Sequence, residues 1–304
     1  MKNMSKLFYL TGLLFLFITC HGFAQTTDSL RQKIQKIVSV RNAIVGVSII
    51  GNNGKDTVSI NGERHFPMQS VFKLHIALAV LAQIDKGKFS FDQKIKIHKK
   101  DLLPDLSSAI RDKYPDGAAL TISEILEYTV ATSDNVGCDV LLRLIGGPRL
   151  IEKYFIENKF KNVSIKFNEE EIQKNWDLQF QNWTTPKAAN KVLESFYYND
   201  EMLLSKSSYQ FIWKVMRENK TSKKRLRGQL PEGTIVANKT GSSGVNKDGL
   251  TAAVNDIGIV FFPGGQYFFI SVFVTNSKED SETNEKIIAD ISKAAWDYFT
   301  AKTK

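Results

Sequence analysis

A serine and a lysine three residues apart, Ser70 and Lys73, open an apolar run in this 304-residue chain. On a helix, positions i and i+3 share a face, so hydroxyl and amine can meet there. Ser70 at a helix start also sees unpaired backbone N–H groups, which favour a developing anion. A buried lysine amine has its pKa lowered and can accept a proton. That is a nucleophile with its base. Taken alone, the pair reads more simply as a helix cap beside a solvated lysine.

Two later stretches change that balance. Ser133-Asp134-Asn135 falls at a break between two helical segments, where side chains can project into a seam. Ser133 can pass protons, and Asn135 offers a donor and an acceptor to a substrate amide. Ser133 and Asp134 are equally good helix caps. Lys239-Thr240-Gly241-Ser242 ends a β-rich stretch. Lys239 supplies fixed charge, Thr240 a hydroxyl and Ser242 a backbone N–H. Gly241 allows a ligand close to the backbone. Three such stretches in this order are improbable as independent accidents.

The elements that must position them follow from periodicity. Thr27 to Val38 is amphipathic with helical spacing, and Ala43–Ile50 and Asp56–Ile60 are strands joined by Gly51-Asn52-Asn53-Gly54. Ser70 to Lys86 is apolar almost all round, the mark of a buried helix. Phe89 to Pro115 reads as irregular and charged. Thr121 and Glu124 form a capping box opening a helix to Thr132. Helices follow from Asn135 to Ile145, from Pro148, from Pro186 to Tyr198 and from Leu204 to Glu218. Lys161 to Thr185 shows no period, and a loop this long in a compact domain is usually functional. Thr234–Thr240, Ala252–Phe262 and Gln266–Thr275 are strands, and Asn284–Phe299 is a last helix. Strands from both ends should therefore join one antiparallel sheet, with the middle helices clustered beside it and the site in the seam.

Composition bounds the rest. Hydrophobic residues are 42% and charged residues 24%, which excludes disorder and collagen-like architecture. The net charge is +9; Lys2 and Lys6 contribute two, leaving about +7 after the first 24 residues. The lysines are dispersed with few interleaved aromatics, so no nucleic-acid partner is expected. Leu7 to Cys20 is apolar behind Lys2 and Lys6, and Gly22-Phe23-Ala24 offers a cleavage site. Export with removal of residues 1–24 is expected; lipid anchoring through Cys20 is the alternative processing. No later stretch reaches the length of a membrane span. Cys138 would then have no disulfide partner and reads as a small buried hydrophobe. His65, His75 and His98 lack metal-ligand spacing, and no phosphate-binding glycine loop is present, so no cofactor is expected.

The motif set Ser70-x-x-Lys73, Ser133-Asp134-Asn135 and Lys239-Thr240-Gly241, in that order, resembles that of class A serine β-lactamases. The likeness runs through nearly the whole sequence after residue 24. Gln181-Asn182-Trp183-Thr184 and Lys239-Thr240-Gly241-Ser242-Ser243-Gly244 resemble the extended-spectrum, cephalosporinase-leaning branch. The resemblance implies an α+β fold: a three-layer α/β/α sandwich with a five-stranded antiparallel sheet, plus an all-α domain. The α/β part would comprise about residues 25–65 and 205–304, and the all-α part about 66–204. It also implies roles. Ser70 attacks a lactam carbonyl; the N–H groups of Ser70 and Ser242 form the oxyanion hole; Lys73 and Ser133 move protons. Asn135 binds the acylamido chain, and Lys239, Thr240, Gly241 and Ser242 form the carboxylate end. Arg225 matches the place of an extra arginine in some members, although the run Lys223-Lys224-Arg225 also reads as a solvated surface.

The family's spacing places the deacylating carboxylate at Glu169. There the chain departs from the family twice: Glu170 replaces the usual proline, and Gln173 replaces an asparagine while keeping both amide functions. A cis bond before a non-proline residue costs about 2.5–4 kcal/mol, so a trans, differently folded loop is expected. The implied activity is hydrolysis of penicillins and especially cephalosporins by a monomer. A D-alanyl-D-alanine peptidase, which normally lacks the loop carboxylate, and a non-catalytic protein on the same fold are the rivals.

Overall fold

A computed structural model describes residues 26–219 and 221–302. The expected signal segment, with Cys20, lies outside the described residues. The first helix, α1 (Thr27–Ser39), starts where the Thr26 side chain accepts the Ser29 N–H. Strands β1 (Ile44–Gly51) and β2 (Asp56–Ile60) follow as a hairpin. At the other end of the chain come β3 (Val236–Ser242), β4 (Val254–Phe262) and β5 (Gln266–Thr275). The five strands form one antiparallel sheet in the order β2-β1-β5-β4-β3. The fold is α+β, as the resemblance implied.

Side-chain alternation assigns the two faces of this sheet. Along β5, Phe268, Ile270, Val272 and Val274 pack with Leu30 and Ile34 of α1 and with Ile287, Ile291 and Ala295. Those last three lie on the terminal helix Ser281–Ala301. Phe269 and Phe273 face the other way, into the core shared with the middle helices. Both faces are therefore dry, which explains strands that read as nearly continuous apolar runs.

The middle of the chain is built around α2 (Phe72–Asp85), in which every residue from Phe72 to Ala82 is buried. Around it lie α3 (Ile122–Ala131) and α4 (Asn135–Leu144). Beyond them come α5 (Glu169–Lys174), α6 (Pro186–Tyr198) and α7 (Lys206–Glu218). The Thr121–Glu124 capping box is formed, with Thr121 N–H donating to Glu124 at 2.7 Å. One buried polar link ties α6 to the sheet: Ser271 donates to Asn190, whose amide donates to the Ser48 carbonyl at 2.9 Å.

Two expectations need correction. Residues 94–98, within the stretch read as irregular, form a strand paired with 117–121. Its Lys-Ile-Lys-Ile-His alternation buries only Ile97, so charge masked a genuine period of two. Residues 161–185 are not structureless. They hold two-residue strands at 163–164 and 183–184, the helix α5, and a 3-10 turn over Trp176–Gln181. A six-residue helix is too short to display a hydrophobic period. What specifies α5 is its capping box, Asn168 with Glu171.

Candidate active site

Ser70 sits in a single 3-10 turn, Gln69–Val71, that runs directly into α2. The residue before it, Gln69, has φ +47°, and Ser133 has φ +62°. Left-handed backbone at residues other than glycine and asparagine costs energy and tends to mark functional turns. Here the twist at Ser133 follows the end of α3 and precedes Asp134, the cap of α4. The Asp134 carboxylate accepts the N–H of Gly137 and of Ile110, each at 2.8 Å, and the Ser108 hydroxyl. The short Ser133-Asp134-Asn135 break is thereby pinned.

One ammonium joins the parts. Lys73 Nζ lies 2.7 Å from Ser70 Oγ, 2.6 Å from Asn135 Oδ1 and 2.5 Å from Glu169 Oε1. Lys73 is fully buried and Glu169 nearly so. Burial alone pulls the Lys73 pKa down, but the Glu169 carboxylate and weaker neighbouring charges outweigh it and hold the amine above its ordinary value. The simple expectation of a lysine lowered by burial is thus corrected: in the resting site Lys73 is an ammonium paired with Glu169. Lys239, also fully buried, does have its pKa lowered, by burial first and then by the Lys73 charge. Its Nζ donates to Ser133 Oγ at 3.0 Å and to the Thr240 carbonyl at 2.9 Å.

Glu169 is placed by a residue the sequence reading passed over. The Asp139 carboxylate accepts the N–H of Glu169 at 2.8 Å and of Glu170 at 3.0 Å. These are among the N–H groups a helix start leaves without partners. Burial pushes Asp139 up to about 7, against the N–H bonds that favour its charge. The available signal was spacing: Asn135 and Asp139 are i and i+4 on α4, one face. The Glu169–Glu170 bond is trans, as no described bond is cis.

Arg225 is buried, not solvated. Its Nη1 donates to the Gly241 and Asn255 carbonyls at 3.1 and 3.0 Å, and its Nη2 to Ser242 Oγ at 2.7 Å. Nε donates to Glu285 at 3.2 Å. Four of the five guanidinium N–H groups are thereby committed, and the fifth has no partner among the described residues. Gly241 serves a different partner from the one expected. A Cβ there would meet the Met68 carbonyl oxygen at 2.5 Å and Ser70 N at 3.3 Å. The close approach is to the nucleophile turn itself.

Ser70, Asn135, Glu169, Gln173 and Ser242 line a cleft of about 300 Å³. Gln173 is exposed on its wall, and its side chain makes no hydrogen bond among the described residues. Ile172, Trp176 and Gln179 complete that wall, and the buried Gln179 accepts from Gln69 while donating to the Trp176 carbonyl at 2.7 Å. The aromatic side chain at the cleft therefore comes from the 3-10 turn at Trp176. A larger cleft of about 590 Å³ lies by Phe261 and Trp296, and none of Ser70, Lys73, Ser133 or Glu169 lines it. Among the described residues no cluster could hold a metal ion.

The family model described as the β-lactamase enzyme family matches residues 29–299, a span that includes Ser70, Lys73, Ser133, Glu169 and Lys239. The chain belongs to the β-lactamase enzyme family. It is 54% identical over 290 residues to the β-lactamase VEB-1 of Pseudomonas aeruginosa, covering 95% of this chain and 97% of that one. It is 38% identical to the extended-spectrum β-lactamase PER-1 of the same organism, over 95% and 94% of the two chains. The crystal structure of the TLA-1 extended-spectrum β-lactamase superposes with a TM-score of 0.88 at 48% identity, covering 90% of this chain and 99% of that one. The resemblance to class A β-lactamases read from the motifs is borne out, and the five-stranded sheet is the frame that carries it.

Proposed function

We infer that the protein is a serine β-lactamase: it hydrolyses the lactam amide of β-lactams and so gives resistance to them. We further propose that Ser70 is the nucleophile and Glu169 the base of deacylation, with cephalosporins preferred, as the motif resemblance to the extended-spectrum branch implies; two of its relatives are named extended-spectrum β-lactamases. The observation that carries this is the triple contact of Lys73 Nζ with Ser70, Asn135 and Glu169.

The charge state orders the steps. As an ammonium, Lys73 cannot take the Ser70 proton until it has given one up, and the Glu169 carboxylate 2.5 Å away is the acceptor. Neutral Lys73 then accepts the Ser70 proton as Oγ adds to the lactam carbonyl. Negative charge develops on the carbonyl oxygen toward the N–H groups of Ser70 and Ser242; one such donor is worth about 10²–10³ in rate. When the C–N bond breaks, Ser133, held by Lys239, passes its proton to the leaving nitrogen and takes one from Lys73, which recovers its own from Glu169. Glu169, once more a carboxylate, takes a proton from water. The water oxygen adds to the ester carbon, the bond from that carbon to Ser70 Oγ breaks, and Oγ leaves with the proton Glu169 took, relayed through Lys73. Lys239, Thr240, Ser242 and the remaining Arg225 N–H hold the substrate carboxylate, Asn135 its amide, and Gln173 the entrance.

The buried carboxylate beside the nucleophile favours this reading over a D-alanyl-D-alanine peptidase, which stays acylated by penicillin. Purified protein should turn over a chromogenic cephalosporin many times per enzyme. Glu169→Ala should instead accumulate an acyl adduct on Ser70, seen by intact mass. Stoichiometric labelling with no turnover by the unaltered protein would favour the peptidase, and fast turnover by Glu169→Ala would remove Glu169 from its role. We also propose an exported monomer split into the α/β and all-α parts given above. Among the described residues no helix is long and apolar enough to cross a membrane. The N-terminal residue of the exported form, Gln25 or a lipidated Cys20, tests the processing.

A further inference from the structure

We propose that Thr221 is a positioning residue that turns the Thr240 hydroxyl proton away from the cleft and so weakens the hold on an anionic substrate group. The inference rests on the reading of Thr240 as part of the carboxylate subsite. It begins at Asn219, which is buried just past the end of α7. Asn219 Nδ2 donates to the Asn238 carbonyl at 2.9 Å, and the Thr221 backbone N–H donates to Asn219 Oδ1 at 2.7 Å. Turning the amide over would set oxygen against oxygen and N–H against N–H, so both contacts fix its orientation.

Asn219 Oδ1 can only accept. The Thr221 hydroxyl, 2.6 Å from it, must therefore donate to it. Thr221 Oγ1 is also 2.6 Å from Thr240 Oγ1. A hydroxyl has one proton, and that of Thr221 is committed, so Thr240 is the donor of this second bond. Thr240 is left with lone pairs, and no proton, for the cleft. An anion requires a donor there. For Thr240 to supply one, a bond must be lost: its own to Thr221 or, if both hydroxyls turn, that of Thr221 to Asn219. The net worth of one such bond corresponds to about 2- to 10-fold in affinity.

The test is equilibrium binding in a Ser70→Ala background, where hydrolysis plays no part. The ligands are a cephalosporin free acid and its methyl ester. Thr221→Val should lower the Kd of the acid about 2- to 10-fold and leave that of the ester unchanged, because Thr240 is freed to donate. Thr221→Ser, which keeps the hydroxyl, should match the parent. Should Thr221→Val not fold, Thr221→Ala carries the same expectation. An acid Kd that is unchanged or raised, equal tightening of acid and ester, or no binding of the acid at all would overturn the proposal. Turnover of the acid by the protein with Ser70 intact tests the hydrolase reading separately: a binding difference without turnover would sink that reading and leave this one standing.

Discussion

At the scale of single residues, the site is an exercise in placing charges where water cannot reach them. Arg225 shows how tightly one is held. Losing it would remove hydrogen bonds to the Gly241 and Asn255 carbonyls, Ser242 and Glu285, each worth about 0.5–1.5 kcal/mol net. Arg225→Ala should therefore lose stability in chemical denaturation and lose at least about tenfold in kcat/KM on a carboxylate-bearing cephalosporin. Arg225→Lys should recover little, because an ammonium cannot span carbonyls and hydroxyl in one plane. A variant as stable and active as the parent would contradict this. His75 offers a test outside the site. It is fully buried on α2 against Phe155, ring centres 4.9 Å apart. Burial pulls its pKa down to about 4 against a weaker pull from Val71. The folded state thus favours the neutral ring. That contribution is whole above the unfolded value near 6.5 and is lost as pH falls from there toward 4. His75→Leu should flatten this part of the acid limb in denaturation midpoints measured at steps between pH 7 and 4.

At the scale of elements, α5 carries the proposed deacylating carboxylate, and Asp139 is what holds its start. A carboxylate offers an oxygen to each of the Glu169 and Glu170 N–H groups, whereas an amide offers one. Asp139→Asn should loosen Glu169 and slow deacylation more than acylation, so that an acyl-enzyme becomes visible in a stopped-flow burst. The pH dependence has a definite sign. Asp139 is raised from 3.8 to about 7 in the fold, so between those values the folded state binds the extra proton. The Asp139 contribution to stability therefore falls as pH rises from about 4 to about 7, opposite in sign to that of His75, and Asp139→Asn should remove this part of the pH dependence. An unchanged slope would show that another group carries it. Asp139 also marks where sequence reading stopped. Ser70, Lys73, Ser133 and Lys239 announce themselves because each needs a particular functional group at a fixed spacing. Asp139 acts through backbone N–H groups thirty residues away, and such a pairing leaves no local pattern. The same holds for Arg225, whose basic neighbours suggested a wet surface while tertiary contacts buried it. The long strands and the apolar α2 were legible because burial on every side leaves only apolar residues. The six-residue α5 was not, because a cap rather than a period defines it.

At the scale of the whole molecule, the site exists only where the β3 edge of the sheet meets the turn leading into α2. Two contacts set that junction. Asn255 of β4 donates to the Pro67 and Met68 carbonyls at 2.8 and 3.1 Å, tying the sheet to the chain just ahead of Ser70. Gly241 of β3 removes the side chain that would hold the two apart. Its missing Cβ would stand 2.5 Å from the Met68 carbonyl oxygen, a backbone atom with no rotamer to change. In Gly241→Ala the strand and the turn must therefore separate by several tenths of an ångström, carrying the Ser242 N–H away from Ser70. The apolar faces of the sheet are untouched, so the fold should survive with a modest loss in Tm. Catalysis should not, since a displacement approaching 1 Å costs on the order of 10²-fold. The expected signature is thus a kcat lowered far more than the Tm shift explains, measured with a chromogenic cephalosporin and by thermal unfolding. Near-normal turnover in Gly241→Ala would mean that the spacing between sheet and turn does not set the oxyanion geometry.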